Sequence, residues 1–298
     1  IEIFLSNFNY YIKNISVHFL HISFLFVMVS FLFKLYAAPF HLWVSDIYQG
    51  APTMVTAYFA SVPLISTFYI FSKLLLNTFY SFNSVYSPIL GITIVCCIVL
   101  GTFGALYQKK IKRLLAYSSV TGLGYFLTMF LSDSGILTSN VFTYLFLYSF
   151  SLFTLFSLLL QLFLKKKNTF IENVSMLNGY FKNNMFISLL FLFIFFTLAG
   201  VPPFSLFISK LFLLTSIAYL QMYQFLFLAI IFTILSGFYY LKIVKIIYFN
   251  NFRSWDYFAK ISYVPAFIIS FSILLQFLFF LNPSIILVFF QYVSYSLI

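Results

Sequence analysis

Apolar stretches of about twenty residues, each long enough to cross a bilayer core as a helix, recur along this sequence from residue 15 to residue 281. No strand-like alternation separates them. In lipid a backbone must satisfy its own polar groups, so only helices and closed barrels span. The uninterrupted apolar runs select helices. Composition agrees: 63% of residues are hydrophobic and 7% charged, against about 25% charged in a soluble domain. Such a chain cannot cover a water-facing surface, and the expected fold is an all-α polytopic membrane protein.

Eight spans are expected, over residues 16–38, 52–76, 86–107, 111–131, 138–164, 184–220, 225–248 and 262–281. Residues 284–298 are short for a span and are expected at the interface or packed against a neighbour. Alternating the spans puts Lys13 and Lys73 on the side where the first span begins. It puts Lys109, Lys110, Lys112, Arg113, Lys165, Lys166, Lys167, Lys182, Lys242, Lys245, Arg253 and Lys260 on the other. By the positive-inside rule the second side faces the matrix or cytoplasm. The net charge of +11 thus reads as orientation, and no nucleic-acid partner is expected. Cys96 and Cys97, adjacent inside a span, read as packing residues, with no disulfide framework and no metal site. The sequence opens on Ile1 without a cleavable signal pattern, so a non-standard start or a preceding segment is expected. Phe (46) and Tyr (23), with many Ile, Leu and Asn, fit an AT-rich coding sequence such as an organelle's.

Two apolar segments are too long for one straight helix. Residues 184–220 would extend roughly 55 Å at 1.5 Å per residue, yet they are too short for two spans and a loop. The stretch LAGVPPF (198–204) breaks the helix, because proline removes a backbone donor and clashes with the preceding turn. Residues 15–44 behave alike, with Pro39 as the interruption. Each segment carries a lysine near its break: Lys34 before Pro39, Lys210 after Pro203. The two segments run in opposite directions. Paired interrupted helices of opposite heading are a signature of inverted-repeat transporters.

An ammonium at mid-membrane costs at least about 2.5–3.5 kcal/mol. Burial favours the neutral amine and a nearby carboxylate favours the ammonium, so such a lysine switches with its surroundings. Snorkelling to the interface is the bland alternative. It suits Lys73, near a helix end. It suits Lys34 and Lys210 poorly, since no charge follows Lys34 until Asp46, nor Lys210 until Lys242. The acidic residues are Glu2, Asp46, Asp133, Glu172 and Asp256, all in loops or at the terminus. A counter-ion for the lysines is therefore expected from water or from another chain. Hydroxyls that suit a water wire are Tyr36, Ser61, Ser66, Thr67, Tyr117, Ser118, Ser119, Thr121, Ser205 and Ser209, although plain helix packing is the simpler reading of each. His18 and His21 read as interfacial. His41 reads either as a relay member or as a hydrogen-bonded structural residue, and Trp43 as an interfacial anchor.

Four stretches carry a family resemblance: KLYAAPFHLWVSDIYQGAPTMVT (34–56), QKKIKRLLAYSSVTGLGYFL (108–127), LAGVPPFSLFISK (198–210) and SGFYYLKIV (236–244). Together they resemble the antiporter-like membrane subunits of respiratory complex I, in family order and over nearly the whole chain. The PFHLW and DIYQGAP wording is most similar to the mitochondrial subunit 2 branch. The resemblance implies two inverted repeats, with residues 1–83 ending the first, 84–248 forming the second and 249–298 a C-terminal helix and tail. It implies a fold lacking the family's first six helices; a separate chain carrying them is the expected account, with unobserved residues of the same chain as the alternative. It implies proton relay through Lys34 and Lys210, supported by His41, Tyr36, Ser118, Ser119 and Ser209, with a partner glutamate on a missing helix. Leu64 stands where the family often has a further lysine, and Gly122 where a polar ring often stands. The implied location is the mitochondrial inner membrane, basic loops toward the matrix. Other membrane-arm subunits are the implied partners, and the basic loops suit anionic lipid such as cardiolipin at Lys109–Arg113 or Lys165–Lys167, or simple solvation. No cofactor belongs to this chain; FMN, iron–sulfur clusters and ubiquinone would lie in other subunits. The alternatives are a cation/proton antiporter subunit and a membrane-arm scaffold that no longer pumps.

Overall fold

A computed structural model describes residues 19–132, 135–164, 169–170, 172–250 and 263–296. Lys13, His18, Lys165–Lys167, Arg253 and Lys260 lie outside the described residues, as do the acids Glu2, Asp133 and Asp256. The protein is an all-α polytopic membrane protein. Its helices are α1 (Phe19–Lys34), α2 (Leu42–Gly50), α3 (Thr53–Lys73), α4 (Asn83–Tyr107), α5 (Ile111–Leu127), α6 (Gly135–Gln161), α7 (Met185–Ala199), α8 (Ser205–Tyr219), α9 (Tyr223–Phe249), α10 (Tyr263–Leu281) and α11 (Ser284–Tyr295). Each expected span meets one helix, and residues 184–220 meet the pair α7–α8. Five spans are long and apolar enough to cross unaided: Thr53–Thr78, Tyr80–Tyr107, Ile111–Leu131, Gly135–Gln161 and Tyr223–Phe249. The bend between α10 and α11 is 88°. It lays Phe290 of α11 against Phe142 and Phe146 of α6, so the last apolar stretch packs within the chain.

The bundle is built around α5. Of its most apolar window 89% is buried, against 39% for α3 and α9; a helix apolar and enclosed all round is a central one. Small residues let α4 approach it. A Cβ on Gly101 would fall 2.7 Å from the backbone nitrogen of Thr121, and one on Gly124 would strike the Ile98 side chain. This is the close backbone contact that glycine permits in lipid, where no solvent drives helices together.

Both expected breaks are present. α1 ends at Lys34, Tyr36 takes a left-handed φ of 49°, a cis Ala38–Pro39 bond follows, and α2 restarts at Leu42. The Ala38 amide, freed by the break, donates to Cys97 Sγ at 3.0 Å. Cys97 thus satisfies a backbone group as well as packing. α7 ends at Gly200, in the left-handed region at φ 76°, where residues with a Cβ are strained. A cis Pro202–Pro203 bond precedes α8.

The basic side is tied down by loop contacts. Ile111 and Val174 amides donate to the Glu172 and Lys109 carbonyls, and a two-residue antiparallel pairing joins Phe163–Leu164 to Thr169–Phe170.

Candidate functional site

The last carbonyls of a helix have no partner within it, and its C-terminus carries partial negative charge. At the end of α7 that role falls to Lys210, which reaches back from α8 across the break. Its Nζ donates to the carbonyls of Leu198 and Ala199, each at 3.4 Å. Gly200 leaves just enough room: a Cβ there would sit 3.1 Å from both Cδ and Nζ of Lys210. The lysine is half-buried and borders a cavity of about 300 Å³ shared with Gly200, Thr233 and Gly237.

Lys34 is differently placed. It is exposed on the chain's own surface, at the edge of a cavity of about 250 Å³ lined also by Tyr36, Trp43, Tyr48, Leu64 and Thr67. No carboxylate lines that cavity. Among the described residues the one ion pair is Arg113–Asp46, 3.0 Å and largely exposed; Glu172 faces Lys112. The expectation of a lysine enclosed within the chain does not hold at Lys34 among the described residues: the lysine stands on the exposed face at the end of α1.

The supporting residues divide. Tyr36 and Tyr48 are buried, and their hydroxyls face Ser119 of α5 and each other. Neither phenol oxygen makes a well-aligned hydrogen bond. Ser118 lies 3.4 Å from the Tyr148 hydroxyl of α6, while Ser118 and Ser119 also bond their own helix at Leu115 and Ala116. Ser209 is buried and bonds the Leu206 carbonyl; it joins neither lysine cavity. His41 is buried, its ring edge-on to Tyr117 at 5.9 Å and its Nδ1 without a partner among the described residues. It too lies outside both cavities. Ser61, Ser66, Thr67 and Thr121 bond carbonyls of their own helices, and Ser205 Oγ is buried without a partner. Trp43 lines the Lys34 cavity, stacked on Phe33 at 5.6 Å. The α1–α2 break turns it toward the chain's own lysine.

Residue-level reading of the sequence passed over three tyrosines, Tyr48, Tyr148 and Tyr240, and the bond from Lys112 Nζ to the Ala51 carbonyl at 2.7 Å. The available signal was the choice of Tyr over Phe in apolar spans, since a hydroxyl in hydrocarbon needs a partner.

Comparison with known proteins places the fold. The profile of a transmembrane family, NADH:quinone oxidoreductase/Mrp antiporter, matches residues 4–236. The chain belongs to this family. NADH-quinone oxidoreductase subunit N of Pelagibacter ubique is 34% identical over 248 residues, which is 82% of this chain and 51% of that protein. Subunit N of Parvibaculum lavamentivorans is 30% identical over 71% of this chain and 44% of its own length. The chain therefore spans about half the length of the curated relatives it matches. A chain in the respiratory complex I of Thermus thermophilus superposes with a TM-score of 0.71 at 25% identity, over 87% of this chain and 56% of that one. A chain of the Mrp complex from Dietzia reaches 0.79 at 18% identity, over 91% and 58%, a likeness of fold alone.

The two departures noted in the sequence take on shape in this NADH:quinone oxidoreductase/Mrp antiporter chain. Leu64 is buried and forms an apolar wall of the Lys34 cavity. Gly122 faces the ring of Tyr148, which would lie 3.3 Å from a Cβ at that position. Space left by the absent side chain on α5 is filled from α6.

Proposed function

We propose that this chain is a proton-translocating membrane-arm subunit of respiratory complex I, of the subunit 2 type, in which Lys34 and Lys210 take up and release protons at the two helix breaks. Residues 84–248 form its second inverted repeat and 1–83 the end of the first. One observation carries the reading. Two lysines stand at helix breaks, one held by backbone carbonyls and the other facing outward with no carboxylate of the described residues beside it. An outward lysine in lipid is costly, so that face meets a partner. The partner is the set of helices that the longer relatives have in addition, and it brings a carboxylate to Lys34. Approach of the acid favours the ammonium, and withdrawal releases the proton. Redox chemistry with FMN, iron–sulfur clusters and ubiquinone belongs to other subunits; this chain's part is proton transfer. The proposed location is the mitochondrial inner membrane; the charge distribution supports the basic loops on its inner, matrix side. Within Lys109–Arg113, Arg113 and Lys112 are engaged inside the chain, which leaves Lys109 and Lys110 for anionic lipid.

The test is Lys34→Met and Lys210→Met in the assembled complex, reading coupled quinone reduction and protons moved per electron. A fall in both, with the subunit still assembled, is expected; normal coupling in both variants overturns the role. The family's description, which joins NADH:quinone oxidoreductase and Mrp antiporter chains, supports a second reading, a cation/proton antiporter subunit. Copurification separates the two, since only complex I brings flavin and iron–sulfur subunits. A scaffold without pumping, which the apolar Leu64 favours, would leave proton stoichiometry unchanged in the lysine variants.

A further inference from the structure

On the basic side of the bundle, a cavity of about 440 Å³ lies between the α4–α5 turn, the loop 173–178 and the last turns of α9. It is larger than either lysine cavity at the helix breaks and shares no residue with them. Lys109 and Lys242 line it, together with uncharged polar side chains that include Asn173 and Ser175. Among the described residues no carboxylate does. Glu172, next to Asn173 in the chain, faces Lys112 instead. Two cations from different elements thus share one cavity with no acid to offset their repulsion.

The three walls are tied to one another by the chain's own bonds. The Val174 amide donates to the Lys109 carbonyl and the Gly179 amide to the Ile246 carbonyl, each at 3.0 Å. Asn250 Nδ2 donates to Asn178 Oδ1 at 3.2 Å. A cavity held in this way exists before any ligand arrives, which lowers the cost of binding. Gln108 directs its amide to the Gly104 carbonyl. Lys109, Lys242, Asn173 and Ser175 are then the donors left for an occupant, and oxygens of an anion accept from all four.

We propose that this cavity binds the phosphate of an anionic phospholipid, with Lys109 and Lys242 gripping it from the α4–α5 turn and from α9.

Depth and surroundings select a lipid over a free phosphate. The cavity sits where the span ending at Tyr107 gives way to the span beginning at Ile111, the level of the headgroups. One turn deeper on α4, next to Leu106 of the cavity wall, Phe103 is 46% exposed. Its ring meets Phe232 of α9 edge-on at 6.0 Å. One turn deeper than Lys242 on α9, Phe238 is 60% exposed. A charged cavity therefore continues into an exposed aromatic surface of α4 and α9. A phospholipid uses both parts, whereas free phosphate uses only the first. The proposal deepens the lipid reading of the basic loop by adding Lys242 from a separate helix, and it is independent of the proton role of Lys34 and Lys210.

The experiment uses the assembled complex in vesicles doped with phosphatidylglycerol that carries a photoreactive group in its acyl chain. Adducts are mapped by peptide mass spectrometry and are expected on α4 and α9 around Phe103 and Phe238. Lys109→Gln and Lys242→Gln should each lower labelling about fivefold, the contribution of one lysine beside an anionic lipid. The double variant should lower it about twentyfold, Lys110→Gln should not, and Lys242→Arg should retain it. Equal labelling of wild type and double variant overturns the site. A fall with Lys109→Gln and Lys110→Gln but not with Lys242→Gln overturns the cavity and leaves the loop reading standing. Indifference to all three overturns both. Displacement of the lipid by inorganic phosphate assigns a soluble anion and overturns the lipid source. If the variants fail to assemble, wild type decides alone: labelling must weaken as salt rises, and salt-independent labelling, or adducts elsewhere, overturns the proposal.

Discussion

The two helix breaks share a lysine, a cis X–Pro bond and a left-handed residue, yet they leave their lysines in opposite circumstances. At α7–α8 the lysine follows the break and folds back onto the carbonyls that the break exposes. At α1–α2 the lysine precedes the break, and the freed amide of Ala38 goes to Cys97 instead. Among the described residues nothing holds Lys34, and it lies open at the surface. One lysine is held by carbonyls of its own chain; the other, on the proposed reading, faces a partner. A lysine positioned by its own backbone has a fixed environment, whereas one awaiting a partner is free to change its environment as that partner moves.

Substitution of the lysines bears hardest on that contrast. Loss of either, as Met, is expected to lower coupled activity by about tenfold or more, measured as quinone reduction in sealed vesicles. Stability should divide the pair. Lys210→Met strips two carbonyls of their donor and should destabilise the chain by about 1–3 kcal/mol. Lys34→Met removes an unpartnered charge and should leave the isolated chain unaltered, as read by thermal unfolding in detergent. Equal destabilisation would mean that Lys34 has a partner in the chain. Next in size is Gly200→Ala. It forces a Cβ into a left-handed position against Lys210 and should cost about 1 kcal/mol or more, with a coupling loss smaller than that of Lys210→Met. A cysteine at Phe59, which borders the Lys34 cavity and is 45% exposed, should react with a membrane-permeant maleimide in the isolated chain and be protected in the complex. Equal labelling in both states would mean that this face has no partner. The smallest effect is expected from Asp46→Asn. Its bond to Arg113 is largely exposed and should contribute less than about 0.5 kcal/mol.

Much of the architecture was legible beforehand. The spans, both breaks and the position of each lysine beside its break follow from local chemistry: apolar length, proline and glycine. The candidate site was legible only in part. Tyr36, Ser118 and Ser119 stood out as polar residues in apolar stretches, and they meet others across α5. Tyr148 and Tyr240 did not stand out, because a tyrosine in an aromatic-rich span looks like packing until its hydroxyl is seen to face a serine. Ser209 and His41 looked equally suitable by type, but they turn to a helix carbonyl and to Tyr117.

By itself the sequence determined the solvent, the positions of the apolar helices, and where two of them give way, since each depends on the run of residues along one segment. The tertiary structure alone decided which lysine is satisfied and which faces outward, and which hydroxyls meet. In a water-soluble helix an apolar stripe marks the inward face. In lipid both faces are apolar, so helix rotation leaves little trace in the sequence and is set by packing, by the glycines of α4 and α5 and by polar atoms that find one another across helices.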